Sequence, residues 1–196
     1  MADEAAQAVR DSLTLIVVSG APGTGKSTIA TALGDQLRFA VLSLDPIKEA
    51  LADVLGLGDE DWSNRVGDAA AEVVFRLSAA FPDAVAEGWW RGARRDRAVA
   101  EFAGAIEVFC HCDPRLAGER ATTRIADGRR HPIHRDVINP AMTDRVAFLA
   151  DTVTPLGLGR ALITVDTGRD DAAVQAVAEV KAAVGAGPSL RRRPPR

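Results

Sequence analysis

The sequence predicts an α/β fold, with one parallel β-sheet covered on both faces by helices. Three observations predict it. Leu13–Ser19 (LTLIVVS) is a continuous apolar, β-branched run, as a strand buried on both faces requires. Strand-like and helix-like segments then alternate along the chain, and parallel strands need such crossovers. At 196 residues, 47% hydrophobic and 26% charged, the chain suits one domain with a sizeable core.

The elements follow in order. Gly20–Gly25 breaks the first strand, and Lys26–Leu37 reads as a helix. Phe39–Leu44 is a second strand, followed by a helix from Pro46 to about Leu55 and a loop at Gly56–Asp61. Trp62–Phe81 carries Val66, Ala70, Val73, Val74 and Leu77, the spacing of a half-buried helix. Ala84–Glu87 is a short strand, Arg94–Phe102 a helix, Ala105–Cys112 a fourth strand and Pro114–Ile125 a helix. Arg129–Pro140, basic and interrupted by proline, reads as a mobile loop. Thr143–Thr152 is helical, Ala161–Asp166 is a fifth strand, and Asp170–Val184 is a closing helix. One domain is expected over 12–187, with a lid at about 115–140, a flexible start at 1–11 and a disordered basic tail at 188–196.

Composition narrows the function classes. The net charge of −3 includes the tail arginines Arg191, Arg192, Arg193 and Arg196, so the body is more acidic than the total. Such a body disfavours nucleic acid, whose non-specific binding rests on neutralised phosphates. No apolar run approaches the ~20 residues that span a bilayer, so no membrane partner is expected. The acidic, alanine-rich start lacks the pattern of a secretory signal. Cys110 and Cys112 share one face of a predicted strand while His111 points away, and no second cysteine pair completes a zinc site. Buried thiols in a reducing, cytoplasmic compartment are expected. Oligomeric state leaves no signal.

The decisive segment is Gly20-Ala21-Pro22-Gly23-Thr24-Gly25-Lys26-Ser27-Thr28, which fits G-x-x-x-x-G-K-[ST] between a strand and a helix. Glycines let successive backbone N–H groups turn toward phosphate oxygens, and the following helix adds its positive N-terminal end. Lys26 supplies a mobile cation for β- and γ-phosphates, and the Ser27 hydroxyl is a Mg²⁺ ligand. Nucleotide binding is the expectation.

With these residues in place, the chain from Leu13 to about Thr167 resembles the small P-loop phosphotransferases that include gluconate kinase, chloramphenicol phosphotransferase and the 5′-kinase domain of polynucleotide kinase. The resemblance implies a five-stranded parallel sheet of order 2-3-1-4-5, ATP and Mg²⁺ as cofactors, a carboxylate after the second strand and an arginine-bearing lid. In Ser43-Leu-Asp45-Pro-Ile-Lys48, Asp45 matches the carboxylate that orients or deprotonates the acceptor hydroxyl. Lys48 stands where arginine is usual for binding substrate or phosphate, and lysine cannot make a bidentate fork. Asp45-Pro46 is equally the pattern of a helix cap, as is Asp113-Pro114; the cap is favoured for Asp113.

Arg120 and Arg124, four apart on one helix face, are the lid's candidates for stabilising the transferring group. Arg129, Arg130 and Arg135 follow them, and His131 and His134 are phosphate-contact candidates. Glu87, ending a small apolar strand, matches a Mg²⁺-orienting or substrate-touching acid; a polar strand end is the plain alternative. Trp89 and Trp90 either roof a substrate pocket or pack beneath the next helix. Arg91, Arg94 and Arg95 are candidates for an anionic acceptor. Thr167 and Arg169 stand where related folds touch adenine.

Three functions compete on these residues. The leading one is transfer of the ATP γ-phosphate to a hydroxyl of a small molecule such as a metabolite, sugar or antibiotic. A 5′-hydroxyl polynucleotide kinase would share every motif but needs a basic track with aromatic platforms, and the chain has no tyrosine and six phenylalanines. A P-loop NTPase or nucleotide-dependent switch would hydrolyse ATP without an acceptor.

Overall fold

The computed structural model describes residues 14–186 apart from 82, 129 and 135–139, and of 140, 141 and 186 the backbone alone. The expectations for the flexible start, the disordered tail, Arg129 and Arg135 lie outside the described residues.

Five parallel strands form one sheet, β1 (Leu15–Ser19), β2 (Ala40–Ser43), β3 (Ala84–Glu87), β4 (Ile106–His111) and β5 (Ala161–Asp166), in the order β2-β3-β1-β4-β5. This is the order that the resemblance implied. Register aligns the carboxyl ends: Glu87 pairs with Val18 on one side and Ser43 on the other, and Ser19 pairs with Phe109. Loops leaving these strands therefore gather along one edge, where open α/β sheets bind ligands.

Seven α-helices lie among the described residues: α1 (Lys26–Leu37), α2 (Leu44–Leu55), α3 (Glu60–Ala80), α4 (Ala93–Glu101), α5 (Pro114–Ala126), α6 (Pro140–Thr152) and α7 (Ala172–Ala186). Alternation along β1 builds two apolar layers. Leu15 and Val17 pack with Val74 and Phe75 of α3, Ala98 of α4, and Leu156 and Leu158. Ile16 and Val18 pack with Ile29 and Leu33 of α1 and Val177 and Val180 of α7. Burying both faces is what the unbroken LIVVS run demands. A third, smaller cluster joins α5 to α6 through Ala117, Ala121 and Val146. Gly118 lets the two helices touch, since a Cβ there would lie 2.7 Å from the Thr143 carbonyl.

Several boundaries differ from the sequence expectation, each for a local reason. Helix α2 starts at Leu44, two residues before Pro46, with extended Ser43 as its N-cap. Proline fits the first turn because its missing N–H would be unpaired there anyway. Helix α3 starts at Glu60 because Asp59 caps it, accepting from the Trp62 N–H at 2.8 Å. The expected mobile loop contains a 3₁₀ turn at Pro132–His134, and α6 begins at Pro140. Helix α7 begins at Ala172 and extends to Ala186. Among the described residues, no helix is long and apolar enough to cross a membrane.

Candidate active site

The turn between β1 and α1 is built for close approach. Gly20, Gly23 and Gly25 have φ of 142°, 77° and 75°, a region that side chains rarely adopt. A Cβ at Gly20 would collide with the Cys110 carbonyl and one at Gly23 with the Ala117 carbonyl. A Cβ at Gly25 would press on the Thr167 side chain at 3.2 Å. The turn is thus wedged between β4, α5 and the β5–α7 loop. Lys26 is buried and its Nζ donates to the Ala21 carbonyl at 2.7 Å, while the Thr24 hydroxyl donates to the same oxygen at 2.8 Å. Burial lowers the Lys26 pKa, against the opposing pull of Glu87 and Asp45.

Pro22, Gly23, Gly25, Lys26, Ser27 and Thr28 line a cavity of about 660 Å³. Gly20, Ala21 and Thr24 sit beneath the turn as its buried support. Asp45, Lys48, Glu87, Trp89, Arg91 and Arg94 line the same cavity from α2, β3, the segment before α4 and the first turn of α4. Arg124 reaches it from α5, Arg130 and His134 from the segment beyond, and Met142, Arg145, Val146 and Leu149 from α6. Seven cationic side chains and three carboxylates line the space, in a chain of net charge −3. That inversion of sign is the signature of a site for anions.

Asp45 is not a cap. It lies inside the first turn of α2, and its Oδ2 accepts from Arg130 Nη1 at 2.8 Å. Burial pushes its carboxyl up, but the Arg130 charge, then His134, the Arg130 hydrogen bond and Lys26, together leave it below the ordinary range. Asp113, by contrast, is the cap of α5, accepting from the Arg115 and Leu116 N–H groups at 2.9 and 3.3 Å. Glu87 is buried at 5% exposure, and burial raises its pKa although Lys26 opposes the rise. Burial also lowers Lys48, whose Nζ donates to Ser63 at 2.8 Å.

The segment 130–134 is strapped across α2 and α3. Besides the Arg130–Asp45 pair, His134 meets Glu49 at 2.7 Å and His131 meets Asp53 at 3.1 Å. The Ser63 hydroxyl donates to the Ile133 carbonyl at 2.6 Å. Burial lowers the His134 pKa. The strap therefore sets a basic side chain on each of three α2 carboxylates, Arg130 on Asp45, His134 on Glu49 and His131 on Asp53.

Other candidates fall elsewhere. Arg120, expected beside Arg124, donates instead to the Thr167 hydroxyl at 3.2 Å and carbonyl at 3.0 Å, outside the cavity. The Thr167 hydroxyl also reaches the Thr24 carbonyl at 2.9 Å, so Arg120 and Thr167 brace the glycine-rich turn from behind. Arg169 is exposed and paired with Asp171 at 2.9 Å. Trp90 packs on Phe75 and Phe102, with ring centroids 5.5 and 5.3 Å away, while Trp89 faces the cavity. Arg95 donates to the Thr154 and Pro155 carbonyls at 3.1 and 2.6 Å and does not line the cavity. Cys110 and Cys112 are buried free thiols.

Two sets of residues escaped the sequence reading. Met142, Arg145, Val146 and Leu149 face the cavity from one side of α6, a spacing readable as a helix face but without motif. Glu107, in the middle of β4 and 1% exposed, accepts from the Ser19 hydroxyl at 2.7 Å and from the Leu156 and Gly157 N–H groups at 2.7 and 2.8 Å. A carboxylate amid IEVFCH carried no signal of its three partners.

The donor set fits a Mg-nucleotide. The glycine cradle is one that any Cβ would fill, Lys26 stands inside it, and the Ser27 hydroxyl and Glu87 carboxylate offer hard oxygens. Among the described residues no cluster of three or more His, Cys, Asp or Glu forms a cage of its own for a metal.

The comparison with curated proteins returned no match. The chain is similar to a kinase candidate from Chloroflexus aurantiacus, at 32% identity and a TM-score of 0.78 over 87% of this chain and 98% of that one. It shares its fold with a gluconokinase from Sinorhizobium meliloti (17% identity, TM-score 0.58, 88% and 91% coverage). The same holds for a shikimate kinase from Acinetobacter baumannii, solved with shikimate (19%, 0.61, 88% and 94%). A family model described as an AAA domain matches residues 15–149, the span that holds the cradle, Asp45, Glu87 and the strap, and the chain belongs to that family, with the fold of the P-loop kinases.

Proposed function

We propose that this chain is a kinase that moves the γ-phosphate of ATP to a hydroxyl of a small molecule in the cytoplasm. The observation that carries the reading is the shared cavity. One wall is a phosphate cradle, the other presents an arginine-paired carboxylate, and both open on the same 660 Å³. Pockets of this size hold small ligands with most of their surface covered. The two buried free thiols support a reducing compartment.

Backbone N–H groups of the cradle and the start of α1 bind the β- and γ-oxygens. Lys26 turns from the Ala21 carbonyl to the same oxygens. Ser27 and Glu87 would hold Mg²⁺, which when bound neutralises charge on the phosphates. Asp45, kept ionised by Arg130, orients the acceptor hydroxyl and takes its proton at the carboxylate. The acceptor oxygen bonds to the γ-phosphorus while the bond to the β–γ bridging oxygen breaks and ADP departs. Arg124 and Arg130 face the charge that spreads over the equatorial oxygens.

The test uses Mg²⁺ and γ-labelled ATP with a desalted metabolite pool. Label enters a small molecule, vanishes with Lys26→Ala, and falls about 10²–10⁴-fold in kcat with Asp45→Asn at unchanged nucleotide affinity. Label found only in inorganic phosphate, at a rate indifferent to the pool, would overturn the reading in favour of an NTPase.

A further inference from the structure

The charges in the cavity cluster at the cradle and again beside α4, with Lys48 between them, acted on by Asp45 and Arg130 from one side and by Arg94 and Arg91 from the other. Those acting on Lys26 are Glu87, Asp45 and Arg124, all beside the cradle. Those acting on Arg91 are Arg94, Arg145 and Glu60. This second group draws on α3, α4 and α6 and has no part in the glycine-rich motif.

Its guanidinium groups are placed with care. The Arg91 guanidinium carbon lies 4.7 Å from the centroid of the Trp89 ring, which fixes the side chain over an aromatic face. Arg94 Nε donates to Asp68 at 2.7 Å. That single bond orients the fork and leaves Nη1 and Nη2 without an acceptor among the described residues. Both nitrogens rest against Gly67, where a Cβ would stand 3.3 Å from each, so glycine on α3 makes the space that Arg94 fills. Arg145 points in from the facing helix α6. Among the described residues neither Arg91 nor Arg145 has a carboxylate within 4 Å. Burial and the neighbouring Arg94 and Arg145 charges lower the Arg91 pKa, with Glu60 opposing. Three guanidinium groups gathered beside Glu60 and the Arg94-paired Asp68 keep a net positive charge that a bound anion would neutralise.

We infer that Arg91, Arg94 and Arg145 form a subsite for an anionic oxyacid group, a carboxylate or a phosphate monoester, on the molecule that receives the phosphoryl group. The acceptor role of that molecule rests on the phosphotransfer reading; the anion rests on the cavity alone. Fork-shaped donors suit the two oxygens of such a group. Trp89 and the α6 residues Met142, Val146 and Leu149 give its carbon body an apolar wall. Because Arg145 lies on α6 and the other two precede or begin α4, the anion ties the α6 wall of the cavity to the α4 wall. The acceptor is a hydroxy compound with a charged end, and uncharged polyols are poor substrates.

The direct test fills the cradle with Mg²⁺ and a non-hydrolysable ATP analogue, then titrates inorganic phosphate and glycolate by calorimetry. At least one probe binds with one site per chain, and binding weakens about 10- to 100-fold in Arg94→Met and Arg145→Met. Nucleotide affinity and Tm stay as in the parent, and Arg76→Met, on the exposed outer face of α3, leaves probe binding unchanged. No binding of either probe, or binding indifferent to both cavity variants, overturns the inference.

A labelling panel then separates the two sources. Label entering polyhydroxy carboxylates names the carboxylate, and label entering sugar monophosphates names the phosphate. Label entering uncharged polyols as fast as their charged counterparts, and as fast in Arg94→Met, overturns the inference. Probe binding as expected with no label in any acceptor sinks the phosphotransfer reading and leaves the anion subsite standing.

Discussion

Replacing Glu107 by glutamine keeps its shape and removes its charge. The carboxylate takes the Ser19 hydroxyl and the Leu156 N–H on Oε1 and the Gly157 N–H on Oε2, all within 2.8 Å. A glutamine can hold two of these donors by placing its carbonyl at Oε1. Its NH₂ then faces the Gly157 N–H, two donors with no acceptor between them. The retained bonds fall from charge-assisted strength, ~1.5–3 kcal/mol, to neutral strength, ~0.5–1.5 kcal/mol. The orphaned donor adds ~1–3 kcal/mol, and relief of the buried charge returns part of the loss. The expected net is a loss of about 2–4 kcal/mol, or roughly 5–15 °C in Tm for a domain of this size. Leu156 and Leu158 leave the core most readily, since Glu107 is what holds their loop to β4. Urea and thermal unfolding of Glu107→Gln measure it. A variant within about 0.5 kcal/mol of the parent would mean that the carboxylate holds no net share of the stability.

Gly23→Ala would drive a methyl into the Ala117 carbonyl at a φ of 77°, so nucleotide binding should weaken at least ~10-fold; unchanged affinity by titration would show that the turn can move. The Cys110 thiol, pushed up to about 12 by burial, should resist iodoacetamide at pH 8 in the native protein and react once unfolded; native labelling would contradict its burial. The Asp45 carboxyl titrates below the ordinary ~4, so the stability it contributes is whole above that value and is lost as pH falls through the depressed one. In Arg130→Gln the titration should move upward by carboxyl-carbon NMR, and an unmoved curve would remove Arg130 as the cause.

The sequence reading succeeded where information is local. The LIVVS run and the nine residues from Gly20 to Thr28 are contiguous, so strand, glycine-rich turn and helix were legible together. Alternation gave five strands and the parallel sheet, while the strand order came through the resemblance and not through any residue pattern. Asp45 was legible as a carboxylate but not as a role, because Asp-Pro reads equally as a cap. Its Arg130 partner stands 85 residues away, and the cap reading fell because α2 starts at Leu44 with Ser43 as its N-cap.

Arg120 and Arg124 make the same point from the other side. Their spacing put them on one face of α5, and nothing in the spacing could say that Thr167, 47 residues on, would take the first while the cavity took the second. Glu107 carried no local signal at all, and Arg145 only the spacing of a helix face without a motif. The α/β class and the glycine-rich turn were legible in the residues alone, because periodicity and the glycine motif are short-range constraints on the backbone. Tertiary structure alone decided which charges share a cavity and which brace it from behind, because a side chain's partner is set by where distant strands and helices bring the chain back together.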